Sequence, residues 1–272
     1  MDIWASSFLI SGGTGLIGSA ISKKIIAAGG SAFVITRSAH LLNSKADTHG
    51  PLKYLDAESP IPSNISVDYV INLAGEPIAA KRWSSGQKNK LLQSRIRMTQ
   101  KLASYIAETK NKPRYFFSAS AKVEQYCPVG IGRFAVVLSA EGGAWDEYLK
   151  PLAFKVSPSF GSGEQWFSWV HINDAVNAIG FLLQQQSNQT VNISAPEALR
   201  NKAFSQLLAR RASALISPPM PAFVLKALLG QMADELLLTS QRLVPKALLE
   251  AGFKFEFPRA DSCVEDLLAA KG

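Results

Sequence analysis

Near the start of the chain an apolar run, Phe8-Leu9-Ile10-Ser11, breaks into glycines at Gly12, Gly15 and Gly18 and resumes as a helix-forming stretch from Ser19 to Ala28. A strand that turns through glycines into a helix commits the chain to a β-turn-α unit of a parallel sheet. Each glycine has a task in such a unit. Gly12 permits the sharp turn off the strand, Gly15 lets backbone amides approach a pyrophosphate, and Gly18 lets the helix lie close to the sheet. The positive end of the helix dipole then faces the phosphates, so the expected ligand is a dinucleotide.

Which dinucleotide follows from what is missing. Sites for NAD usually place Asp or Glu about twenty residues after the glycines, where it accepts from the ribose hydroxyls. Here the second strand reads Ser31-Ala32-Phe33-Val34-Ile35-Thr36 and runs into Arg37-Ser38, with no acidic residue between Gly18 and Ala46. A guanidinium there pairs with a 2′-phosphate, where a carboxylate would repel it. The expected cofactor is therefore NADP(H) rather than NAD(H).

The 272 residues suffice for a large core, and 47% hydrophobic with 18% charged residues is a globular composition. The formal net charge of +8 raises the question of a polyanionic partner. Its Lys and Arg are scattered, however, and an excess of positive charge also suits a phosphate-rich cofactor, so no nucleic-acid partner is expected. Cys127 and Cys263 are far apart, and His40, His49 and His171 are the only histidines, which argues against a metal site or a disulfide framework. The opening residues lack the charged and apolar regions of a signal peptide, and no apolar run approaches the roughly twenty residues that span a bilayer. The chain is expected to begin here and to be cytoplasmic, with no membrane partner.

Further along, Leu52 to Leu55 reads as a third strand and Val67 to Ala74 as a buried fourth, ended by Gly75-Glu76-Pro77. Ser85 to Thr109 is a helical pattern with Leu91, Leu92, Ile96, Leu102 and Ile106 on its apolar stripe. Strands at Arg114 to Ser118 and Arg133 to Leu138 follow, then a helix from Asp174 to Gln185 capped by Asn173. Phe253 to Phe257 has the period of an edge strand, before a last helix from Ala260 to Ala270. Strands alternating with helices give an α/β fold, a Rossmann-type doubly wound parallel sheet over residues 1–200, with a small mostly helical C-terminal subdomain over 201–272.

Several segments together carry a resemblance. The glycine loop, Asn72-Leu73-Ala74-Gly75 and Trp169-Val170-His171-Ile172-Asn173-Asp174 resemble the extended short-chain dehydrogenase/reductase superfamily, which includes nucleotide-sugar epimerases. Asn72 to Ile78, Lys81-Arg82-Trp83, Ser94-Arg95, Gly161 to Gln165 and Gln241 to Lys246 are similar to its epimerase-like oxidoreductase branch, whose small C-terminal domain the tail resembles. The resemblance implies pyrophosphate contacts from Gly12, Thr14, Gly15, Leu16, Ile17 and Gly18, and adenosine-end contacts from Thr36 and Arg37. It also implies Leu73, Ala74 and Gly75 beside the nicotinamide-side ribose, with Arg95 reaching toward the cofactor. Lys81, Arg82 and Trp83 follow the fourth strand, at the carboxyl edge where ligands bind, and are the expected substrate contacts. His171 is expected to be structural.

In that superfamily a Tyr with a Lys four residues later moves the proton that accompanies hydride transfer, while a Ser or Thr binds the reacting oxygen. Ser120 matches the hydroxyl position, but no Tyr in this chain is followed four positions later by Lys. Between Ser118 and Arg133 the fourteen residues, with Pro128, Gly130 and Gly132 among them, are too few for a crossover helix. The helix that normally carries the pair is therefore expected to be lost, with the flanking strands non-adjacent or antiparallel, or the site left open. Two readings follow. One is an NADP(H)-dependent reductase or epimerase-like enzyme using Ser120 with another acid, Tyr126 or a water chain, on a small-molecule substrate. The other is a catalytically silent NADP(H)-binding sensor or scaffold.

Overall fold

The structure, a computed structural model, describes residues 2–43, 50–78, 82–119, 126–186 and 188–271. It divides into two compact units, one of residues 1–76, 90–133 and 176–191, the other of 77–89, 134–175 and 192–272.

The first unit is built on a seven-stranded sheet. Strands β1 (Ser7–Ser11), β2 (Ser31–Thr36), β3 (Leu52–Asp56), β4 (Tyr69–Asn72), β5 (Tyr115–Ser118) and β6 (Val129–Phe134) lie in the order β6-β5-β4-β1-β2-β3, and Gln189–Ile193 adds a strand beyond β6. Each neighbouring pair from β6 across to β3 is parallel. The apolar runs explain this arrangement: Phe8, Leu9, Ile10, Val70, Ile71, Tyr115, Phe116 and Phe117 are fully buried, as strands covered on both faces must be. Helix α1 (Leu16–Ala27) follows the glycine turn and buries Ile21 and Ile25. Helix α2 (Ser85–Glu108) sends Leu102, Tyr105 and Ile106 into a core with Leu9, Val70 and Phe116. Its buried stripe is narrower than the sequence pattern, because Leu92 and Ile96 sit off that face and are exposed.

Two expectations about the region after β5 are corrected. β5 and β6 are neighbours and parallel, with Phe116 beside Val129 and Ser118 beside Ile131. Ten residues join them, and a strand of four residues is only about 13 Å long. Ten residues have the reach to return the chain over that length to the opposite edge. The strand expected over 133–138 is also two elements. β6 ends at Phe134, and β7 (Val136–Ser139) belongs to a separate three-stranded sheet of the second unit.

In that unit β7 lies between Trp169–His171, parallel to it, and the short strand Gly142–Gly143, antiparallel. Trp145, Trp169, Phe204, Cys263, Val264 and Leu267 form its core, drawn from the small sheet and from helices Ala144–Leu152, Asn201–Arg211 and Ala260–Ala269. Further helical segments, Ala222–Leu229, Ala233–Leu238 and Lys246–Glu250, make the C-terminal part mostly helical. The helix expected from Asp174 begins at Ile172. Asn173 does not cap it; the ring nitrogen Nδ1 of His171 accepts from the Asn173 N–H at 3.2 Å. Phe253 to Phe257 is not a strand, because the Glu256 and Phe257 N–H groups donate to the Asp174 carboxylate at 2.7 and 2.9 Å instead of to a neighbouring strand.

Candidate dinucleotide site

Because β1 pairs with β2 on one side and β4 on the other, the loops leaving all three strands emerge at one sheet edge. Strand order reverses about β1, and such a switch point opens a crevice outside the carboxyl ends. Gly12, directly after β1, has φ +73°, and a Cβ there would lie 2.8 Å from the backbone of Leu73 and Ala74. The glycine turn and the loop after β4 therefore touch main chain to main chain. Gly15 N–H donates to Gly12 O at 3.0 Å, closing the turn, and α1 begins at Leu16 with no side chain capping it. The first-turn amides of Leu16, Ile17 and Gly18 are left to an external acceptor, with Thr14 exposed beside them.

At the end of β2, Thr36 is buried and its Oγ1 accepts from Ser38 N–H at 3.3 Å, which turns the chain so that Arg37 is exposed. On the other side of β1, Gly75 lies against Arg95: a Cβ at Gly75 would stand 3.1 Å from the guanidinium carbon. Arg95 is held there by its Nη1 donating to Leu91 O at 2.9 Å. Beneath these loops runs a buried polar network. Ser11 Oγ donates to Asn72 Oδ1 at 2.6 Å, and Asn72 Nδ2 donates to Thr99 Oγ1 at 3.0 Å and Ser118 Oγ at 3.3 Å. It ties the carboxyl ends of β1, β4 and β5 to α2. The sequence reading missed this network, whose only local signal is a polar residue at the end of each of three apolar strands.

Residues 8–131 match the NAD dependent epimerase/dehydratase family, and residues 220–267 match a domain of unknown function, DUF1731. An epimerase family protein of Staphylococcus aureus is 30% identical over 300 residues, covering 96% of this chain and 99% of that protein. Another, from Staphylococcus saprophyticus, is 32% identical over 302 residues, with 96% and 99% covered. The chain belongs to the epimerase family. Among solved structures, the human epimerase family protein SDR39U1, crystallised with NADPH, superposes with a TM-score of 0.83 at 24% identity, covering 97% of this chain and 99% of that one. The match extends the shared fold over nearly the full length.

In this epimerase family chain the expected site residues divide. Gly12 to Gly18, Thr36, Arg37, Leu73 to Gly75 and Arg95 come together in the first unit. Arg82 and Trp83 belong to the second, where each already holds a carbonyl. Arg82 Nη2 donates to Ala227 O at 3.1 Å and Trp83 Nε1 to Ile78 O at 2.9 Å. Lys81 and Ser120 lie outside the described residues. Tyr126 is corrected as a candidate acid. It precedes β6, which runs parallel to β5, so it stands at the amino edge of the sheet, where Lys112 lies 5.9 Å from its ring. The cofactor-type loops leave the opposite edge. Neither cysteine offers an alternative nucleophile, since both are buried, and burial pushes the Cys127 thiol up to about 11. Among the described residues no helix is long and apolar enough to cross a membrane.

Proposed function

We propose that this protein binds NADP(H), in preference to NAD(H), at the carboxyl edge of its central sheet and acts as an epimerase-like oxidoreductase on a small molecule. The observation that carries this reading is a single edge holding the close-packed Gly12 turn, the uncapped start of α1 and an exposed guanidinium, Arg37, at the end of β2. Membership of the epimerase family supports it, as does NADPH in the structure of the human relative. Leu16, Ile17 and Gly18 would offer amides to the pyrophosphate, Arg37 would meet the 2′-phosphate, and Leu73 to Gly75 with Arg95 would flank the nicotinamide-side ribose. Bound there, the nicotinamide supplies hydride exchange. The chain's part is to hold and orient it and, through the Ser120 hydroxyl, to donate to the reacting oxygen.

The test is a fluorescence titration with NADPH and NADH. Wild type is expected to bind NADPH more tightly, and Arg37→Ala to lose about thirtyfold for NADPH, the worth of a charge-assisted pair, with NADH changed less than twofold. Equal wild-type affinities for the two nucleotides would overturn the reading. A screen of carbonyl substrates for NADPH oxidation, with Ser120→Ala as control, then tests catalysis. Turnover lost in the variant supports the enzyme, whereas tight binding without turnover makes the protein a cofactor-holding one.

A further inference from the structure

The carboxylate that NAD sites place after the second strand is absent from β2, yet the structure delivers one from elsewhere. Glu76, on the loop after β4, sets Oε2 3.5 Å from Arg37 Nη1. The two residues follow the strands that flank β1, about 9.6 Å apart at two strand spacings. A long side chain from each side therefore meets its partner beyond the end of β1, at the edge where the glycine turn begins.

The partners are not equally free. Glu76 N–H donates to Ser94 Oγ at 3.0 Å, and Ser94 Oγ donates to Leu91 O at 2.9 Å, which fastens the root of the side chain to α2. The Glu76 side chain is 26% exposed and that of Arg37 is 77% exposed. An arriving 2′-phosphate can draw Arg37 toward itself, whereas the backbone that carries the Glu76 carboxylate is anchored to α2. A phosphate meeting Arg37 then also meets a negative charge rooted at the same edge, within the range of weakly screened repulsion, and it must compete for a guanidinium already paired. A free 2′-hydroxyl faces neither cost and finds an acceptor.

We propose that Glu76 is a specificity-determining residue of this site, a carboxylate that restrains the preference Arg37 creates for the 2′-phosphorylated cofactor and sustains binding of the unphosphorylated one. The proposal rests on the reading that NADP(H) binds at this edge.

The test compares wild type with Glu76→Gln, which keeps the side-chain shape and the backbone bond to Ser94. Affinities are measured by calorimetry for NADPH, NADH, adenosine 2′,5′-bisphosphate and adenosine 5′-monophosphate, the last pair differing only in the 2′-phosphate. In Glu76→Gln the ratio of the NADH to the NADPH dissociation constant is expected to rise about fivefold or more, with a matching rise for the adenosine pair and a smaller one at high salt. If wild type binds none of the four, the site reading itself fails. If wild type binds NADPH but the ratio stays within twofold or falls, or shifts for the dinucleotides and not for the adenosine pair, the role assigned to Glu76 is overturned and the site reading stands.

Discussion

Replacing Gly18 by Val is expected to weaken nucleotide binding severely and to destabilise the first unit by about 3 kcal/mol, as overpacking at a rigid contact does. A Cβ at Gly18 would stand 2.2 Å from Gly12 O and 2.5 Å from Gly13 Cα, and both are backbone atoms that cannot rotate away. Relief requires α1 to move off the turn, which withdraws its first amides from where a pyrophosphate would rest. A loss of a hundredfold or more in NADPH affinity follows, equivalent to about 2.8 kcal/mol. Gly15→Ala separates the two effects. Gly15 has φ −80° and its added methyl would meet only Gly12 O, at 3.3 Å, so chemical denaturation should find a loss of about 1 kcal/mol, well below that of Gly18→Val. Its methyl still enters the phosphate approach and should cost about tenfold in affinity. Wild-type affinity in Gly18→Val would refute the close-approach argument.

The elements that the sequence reveals are those whose cause is local. Phe8 to Ile10, Val70 and Ile71, and Phe116 and Phe117 are unbroken apolar runs bounded by turns, and each is a strand within a residue or two of its expected place. The glycine spacing marks the turn because Gly12 needs both its positive φ and its lack of a side chain. What local pattern cannot reveal is which strands become neighbours. From the shortness of the link after Ser118 the flanking strands are expected to part company, and that inference fails, since ten residues have the reach to make a parallel return. Phe253 to Phe257 has a strand's alternation, yet a carboxylate 82 residues earlier takes its amides.

The same division runs through the candidate site. Residues bound into one contiguous motif, Gly12 to Gly18 or Leu73 to Gly75, were legible. Pairings across the sheet were not: Arg37 with Glu76 depends on β1 lying between β2 and β4, and Asn72 with Ser11, Thr99 and Ser118 on three strand ends coinciding. Tyr126 illustrates the converse. It is near Ser120 in sequence, but the direction of β6 assigns it to the amino edge, away from the loops that matter.

Asp174→Ala is expected to cost about 3 kcal/mol of stability in the second unit, and His171→Gln to flatten its acid response. Asp174 is fully buried and accepts from both Glu256 and Phe257 N–H, so removing it strands two donors, one of them on the buried Phe257. Asp174→Asn keeps one carbonyl acceptor and should lose about half as much. The charged carboxylate is itself disfavoured by burial, which raises its pKa above 3.8 despite those two bonds. Its titration thus favours the fold below pH 3.8, and that contribution is lost as pH rises through the folded value. His171 acts in the opposite sense and nearer neutrality. Burial lowers its pKa below 6.5, against the charges of Asp266, Asp174 and Glu256. A protonated Nδ1 would also confront the Asn173 N–H it now accepts. Asp266 Oδ2 lies 3.2 Å from Nε2 but without the alignment of a hydrogen bond, which limits what it can return. A lowered pKa leaves stability whole above pH 6.5 and erodes it as pH falls from there toward the folded value, by at most about 1.4 kcal/mol per pH unit. Urea midpoints measured on either side of pH 6.5 test this: wild type should weaken on the acid side and His171→Gln should not, so equal slopes would remove His171 as the source.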